Sequence, residues 1–346
     1  MRNIYIQLLD ELKKNRPLAL VTIVEKEGSA PQIPGASALF SSDGLCAGTV
    51  GGGLLEADAQ EKALQSLQQE ASLLYKFDLT ADLFSGEGSI CGGEATILMD
   101  THPEDYIETF QSISKSLSQR QPGVLATFIV RNSSGEISLA RHWVVIGQNS
   151  AVDSEMPYAE FAEEIEKSLT ENKTNLLKIE EETLLYLEPI YPLPHLIIAG
   201  AGHIGQAVSH LGSLLDFEVT VIDDRPEFAN KEQLPEADSI IVDNIGKAMR
   251  AIPISSDTYI VLVTRGHKSD ADALKQCIDS KAAYIGMIGS ARKVKLMREN
   301  FLQEGWATPA QWDRIYAPIG IEIQSKTVQE IAVSIAAQLV LVRRQR

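Results

Sequence analysis

His195-Leu196-Ile197-Ile198-Ala199-Gly200-Ala201-Gly202-His203-Ile204-Gly205 decides the fold of the second half of this 346-residue chain. The apolar, partly β-branched run reads as a buried strand, and glycines at G-x-G-x-x-G spacing carry it into a helix. In such a loop the first glycine permits a tight turn and the second lets a phosphate approach the backbone. The third lets the helix pack close to the strand. Asp223 closes the next apolar run, where a carboxylate would meet a ribose hydroxyl, and Asp224 and Arg225 follow it. Further strands are expected at residues 218–222, 239–242, 259–264 and 283–287, with helices near 204–215, 269–279, 290–303 and 328–341. That alternation predicts a Rossmann-like doubly wound parallel sheet.

Upstream, Tyr191-Pro192-Leu193-Pro194 marks a boundary, because two prolines cannot extend a helix or a central strand. Residues 1–190 read as an N-terminal α+β domain and residues 191–346 as the C-terminal Rossmann-like domain. In the first domain helices are expected at residues 3–15, 54–69, 104–118 and 158–171. Strands are expected at 18–24, 36–40, 73–78, 94–99 and 123–130, with two short strands within 174–188.

Composition excludes several classes. The chain carries 31 Lys and Arg against 47 Asp and Glu, a net charge of −16, which repels nucleic-acid phosphates over most of the surface. Any anionic ligand must then be held by local dipoles and a few placed basic groups. Three cysteines, Cys46, Cys91 and Cys277, form an odd set without finger spacing, which argues for a reducing compartment. No apolar signal core opens the chain, and no window approaches the ~20 apolar residues of a membrane span. A cytoplasmic location without membrane contact is expected.

Two strand-to-helix loops in the second domain could carry chemistry. Thr264-Arg265-Gly266-His267-Lys268-Ser269-Asp270 follows the fourth strand and faces the ligand crevice of an open α/β sheet. His267 and Asp270 could ligate a metal or move a proton, with helix capping an equal alternative for Asp270. Ser290, Arg292 and Lys293 form either an anion site at a helix start or a helix cap with two solvated bases. His203 sits inside the dinucleotide loop. In the first domain, Cys91 precedes Gly92 and Gly93, whose amides would lower a thiol pKa, although small cysteines are commonly just buried. Gly51, Gly52 and Gly53 open a helix with Glu56 in its first turn, where the helix dipole favours a carboxylate. Cys277 lies on a predicted helix and reads as core.

Together these residues resemble the xanthine dehydrogenase accessory protein family, of XdhC and CoxI type. The resemblance rests on Gly28-Ser29-Ala30-Pro31, residues 48–56, Cys91-Gly92-Gly93, residues 200–205, Asp223-Asp224-Arg225-Pro226 and residues 264–270. Residues 284–293, Ala317-Pro318-Ile319-Gly320 and Glu330-Ile331-Ala332-Val333 complete it. It implies a chaperone that binds the molybdenum cofactor, as molybdopterin or its dinucleotide form, and protects it. It also implies support of sulfuration with a cysteine desulfurase and delivery to an apo molybdenum hydroxylase of xanthine dehydrogenase type. The family's cysteine maps onto Cys91, which the resemblance makes the expected molybdenum or sulfur contact, and a thiolate suits a soft metal. Such a carrier performs no multiple-turnover chemistry. The alternative is an NAD(P)-dependent oxidoreductase resting on Gly200, Gly202, Gly205 and Asp223, and a third reading is a nucleotide-sensing interaction protein. A homodimer is expected because a two-fold is the commonest assembly, with Ile331, Ile335, Leu339 and Val342 read as either core or seam.

Overall fold

A computed structural model describes residues 3–28, 32–78, 93–146 and 158–345, with Tyr158, Ala159 and His267 described by backbone alone. The chain divides into two compact units, Arg2–Pro192 and Leu193–Arg346. Among the described residues no helix is long and apolar enough to cross a membrane.

The first unit is α+β. Helix α1 (Ile4–Leu12) leads to β1 (Ala19–Gly28), whose first six residues are all buried, as a central strand covered on both faces requires. β2 (Ser37–Ser41), β3 (Gly44–Gly48), β4 (Leu73–Asp78) and β5 (Gly93–Asp100) complete an antiparallel sheet in the order β3-β2-β1-β5-β4. Helix α2 (Gly53–Gln69) sets Leu55, Ala59 and Ala63 against Val21, Ile23, Ile97 and Met99 on one face of it. A second antiparallel sheet, β7-β6-β9-β8, contains β6 (Gly123–Arg131), β7 (Ile137–Val144), β8 (Asn175–Glu180) and β9 (Thr183–Ile190). Leu18, just before β1, and Leu20 of β1 meet Leu125 and Trp143 of this sheet, together with Tyr5 and Leu8 of α1 and Phe110 and Ile113 of α3 (Ile107–Ser118). Helix α4 (Tyr158–Glu171) covers the far face through Phe161 and Ile165.

β3 and β7 were not expected from the sequence. β3 holds two glycines and no β-branched residue, and exists because a two-residue turn at Ser42 and Asp43 folds it back on β2. β7 carries Arg141 and His142 in its middle, which interrupts its apolar pattern, and pairs residue for residue with β6. The helix expected at 104–118 begins as a 3-10 turn at Pro103–Tyr106, because Tyr106 leaves helical geometry with φ −114°. There its hydroxyl donates to the Leu139 carbonyl of β7 at 2.7 Å.

The second unit is the expected doubly wound sheet. β10 (His195–Ala199), β11 (Glu218–Asp223), β12 (Ser239–Val242), β13 (Thr258–Leu262) and β14 (Tyr284–Met287) lie parallel in the order β12-β11-β10-β13-β14. Leu196 and Ile198 pack with α5 (His203–Leu214) and α10 (Val328–Arg344). Ile197 and Ala199 face the core under α6 (Ile245–Ala251), α7 (His267–Cys277), α8 (Ala291–Gln303) and α9 (Pro309–Asp313). Strand-order reversal beside β10 creates the crevice in which such sheets bind ligands. Helices α6 and α9 went unforeseen because each is little more than a capped turn, at Asn244 and at the Thr308–Gln311 capping box. In α10, Ile335, Leu339 and Val342 are buried within this unit, so these three residues are core and not a seam between copies.

Candidate functional site at the strand ends

The three loop glycines have separable duties. Gly200 takes φ +117°, and a Cβ on it would stand 2.5 Å from the Val263 carbonyl. A Cβ on Gly205 would stand 1.8 Å from the Gly200 carbonyl oxygen, so α5 approaches the strand only without a side chain. A Cβ on Gly202 would meet nothing within 4 Å, which leaves the middle of the loop open to a ligand. His203 begins α5 and is exposed.

Asp223 is only 2% exposed and faces back into this loop. Its carboxylate accepts from the Ala201 amide at 2.8 Å and from Arg225 through the backbone amide, Nε at 2.8 Å and Nη2 at 2.9 Å. Burial raises its pKa, but the Arg225 and Ala201 hydrogen bonds outweigh burial and hold it below the ordinary carboxylate range. The Arg225 guanidinium lies 4.0 Å from the centre of the Phe228 ring. The ends of β11 and β13 are tied by Arg265, whose Nη2 donates to Asp224 at 3.3 Å while remaining exposed.

Asp270 neither caps α7 nor stands open to the crevice. Gly266 is the cap residue, and Asp270 is fully buried in the first turn. It accepts from the Thr264 hydroxyl at 2.6 Å and amide at 3.2 Å, and from Lys293 Nζ at 2.5 Å. Lys293 also donates to the Ile288 carbonyl at 3.2 Å. The sequence offered solvation or anion binding for Lys293; the fold instead makes it the internal counter-ion that clamps the β13 and β14 loops. Ser290 caps α8 by accepting from the Lys293 amide at 3.3 Å, and Arg292 is exposed. His267 opens α7; only its backbone is described.

In the first unit, Gly51, Gly52 and Gly53 take φ of +123°, +68° and +57°, a succession that only glycine adopts without strain. Glu56 braces this loop. Its Oε2 accepts from Thr49 Oγ1 at 2.5 Å and from the Val50 amide at 3.2 Å. Gly93 opens β5 opposite Gly28 at one end of the β1–β5 ladder, whereas Gly48 pairs with Ala38, one residue along from the Thr22–Ser37 pair. The two glycine motifs therefore join the sheet at different levels. Cys91 and Gly92 lie outside the described residues. Cys277 is buried, as expected, and burial pushes its thiol up to about 12. Among the described residues no group of three or more His, Cys, Asp and Glu side chains converges as a metal site.

Sequence reasoning missed a buried ionic cluster in this unit. Arg141 Nη2 pairs with Asp100 Oδ2 at 3.1 Å, both side chains almost fully enclosed. Tyr5 donates from its hydroxyl to Glu188 Oε2 at 2.5 Å. Burial raises the Glu188 carboxyl to about 7, against the lowering pull of Tyr5 and Arg141. Its one sequence signal is a lone carboxylate inside an otherwise apolar run, Leu184-Leu185-Tyr186-Leu187-Glu188-Pro189-Ile190.

An antiparallel α+β unit followed by a Rossmann unit with an open glycine loop defines a two-part, dinucleotide-fold protein. Comparison places it further. The family model for the XdhC and CoxI family matches residues 11–78, and that for the XdhC Rossmann domain matches residues 196–339. The chain belongs to the XdhC and CoxI family. It is 25% identical to a probable xanthine dehydrogenase subunit from Bacillus subtilis over 100% of this chain and 99% of that protein. It is 22% identical to the molybdenum cofactor insertion chaperone PaoD of Escherichia coli, over 97% of this chain and 86% of that one. The uncharacterized protein YqeB of Escherichia coli is 24% identical over 99% of this chain, which spans only 46% of that relative's length. A solved structure described as a xanthine dehydrogenase from Bacillus halodurans superimposes with TM-score 0.78 at 27% identity, covering 99% of this chain and 96% of that one.

Proposed function

We propose that this protein is an accessory factor of xanthine dehydrogenase-type molybdenum hydroxylases that holds the molybdenum cofactor and delivers it to the apo-enzyme. The observation that carries the reading is the end-to-end likeness to a molybdenum cofactor insertion chaperone, in a chain whose two units each match the family. The open space at Gly202 and the exposed Arg292 and His203 suit a phosphorylated cargo at the strand ends. Cys91 is the thiol this reading assigns to the molybdenum. Support of sulfuration with a cysteine desulfurase, a cytoplasmic location and a homodimeric state complete the reading. A nicotinamide site finds less support, since both Asp223 oxygens already accept hydrogen bonds from Ala201 and Arg225.

The test is anaerobic binding of freshly released molybdenum cofactor to wild type and Cys91→Ser, with molybdenum and pterin counted after gel filtration. Near-stoichiometric retention by wild type, reduced in the variant, is expected. No retention by wild type overturns the carrier reading, and undiminished retention by Cys91→Ser overturns the role of the thiol.

A further inference from the structure

A groove between α7 and α8, starting at Lys268 and Lys293 beside the strand-end loops, has a volume of about 490 Å³ and is lined mainly by apolar surface, from Ala271, Leu296, Met297 and Trp306. Leu296 is 57% exposed and Trp306 38%, and both border this one groove. Basic groups border the same surface: Lys268, Lys275 and Lys293, against the single carboxylate of Asp272. Lys293 is already neutralised by Asp270. Lys275 is not: its Nζ sits 3.0 Å from the centre of the Trp306 ring, and neither it nor Lys268 has an ion-pair partner among the described residues.

A volume of this size matches a small-molecule site, and a largely apolar lining with a few placed charges is the usual composition of one. A cation on an indole face keeps its attraction for an anion, because the ring quadrupole does not neutralise the charge. On a chain of net charge −16, a local excess of unpaired ammonium groups beside exposed apolar surface selects for an anion with an apolar body.

We propose that the α7–α8 groove binds a small planar aromatic anion, its ring against Leu296, Met297 and Trp306 and its sulfonate, carboxylate or phosphate at Lys275 and Lys268. The site is independent of the cofactor-carrier reading and is tested without it. Naphthalene-2-sulfonate is titrated calorimetrically into the full chain, with neutral 2-naphthol as the matched control. One saturable site is expected, weakened about tenfold (~1.4 kcal/mol) in Lys275→Gln and likewise in Leu296→Glu. Lys281→Gln, an exposed lysine outside the lining, leaves it unchanged. Thermal melts check that each variant is folded; both tested side chains lie on helix surfaces. Equal binding of 2-naphthol overturns the anion requirement. Binding unaffected by Lys275→Gln and Leu296→Glu, or absent from wild type, overturns the site. Capture instead of an acidic amphipathic peptide makes the groove a protein-docking face and overturns it as well.

Discussion

Glu188 shows what one enclosed side chain does to the whole. Its carboxyl is raised by burial from the ordinary 4.5 to about 7, so the folded state holds a proton that the unfolded chain releases. Stability contributed by this group is full below pH 4.5 and is lost as pH rises through about 7. Glu188→Gln keeps a hydrogen-bonding partner for Tyr5 and abolishes the titration. Urea unfolding of wild type minus Glu188→Gln is therefore expected to decline by on the order of 3 kcal/mol between those two pH values. A difference curve flat across the window would show that the carboxyl is not raised. Asp223 is the opposite case, since its partners Arg225 and Ala201 hold the charged form.

Among the elements, β10 and α5 depend on a contact too close for any side chain. Gly205→Ala drives a methyl into the Gly200 carbonyl, a backbone atom that cannot rotate away. The expected loss reaches the upper end of the roughly 1–3 kcal/mol that overpacking costs, or exceeds it. It is read from denaturant midpoints. Gly202→Ala meets nothing within 4 Å and serves as the matched control. Equal midpoints for the two variants would contradict the tight strand–helix approach.

Across the molecule, apolar cores form separately in the two units. The clusters built on β10 and its neighbours draw on residues 196–342, and those of the α+β unit on residues 4–190. Two calorimetric transitions are expected on heating, since separate cores unfold as separate cooperative units. The pH effect of Glu188→Gln should then appear in one transition only. A single transition shifted as a whole by that substitution would show that the units unfold as one.

Local sequence determined the C-terminal fold and the family, for a physical reason. Parallel strands buried on both faces leave continuous apolar runs, and positive φ or close approach admits only glycine, so Gly200 and Gly205 announce their turn without knowledge of the rest. The carboxylate at the end of β11 was legible in position, but its occupation by Arg225 and the Ala201 amide was not. Tertiary structure alone decided the partners of charges. Lys293 finds Asp270 and Arg141 finds Asp100 across chain separations that no motif spans. It also made strands of β3 and β7, whose composition is poor but whose hydrogen-bonding partners lie alongside, and turned Ile335 and Leu339 into core. Backbone geometry is written locally because sterics act between neighbours; burial and pairing are decided by residues the chain brings together only when it folds.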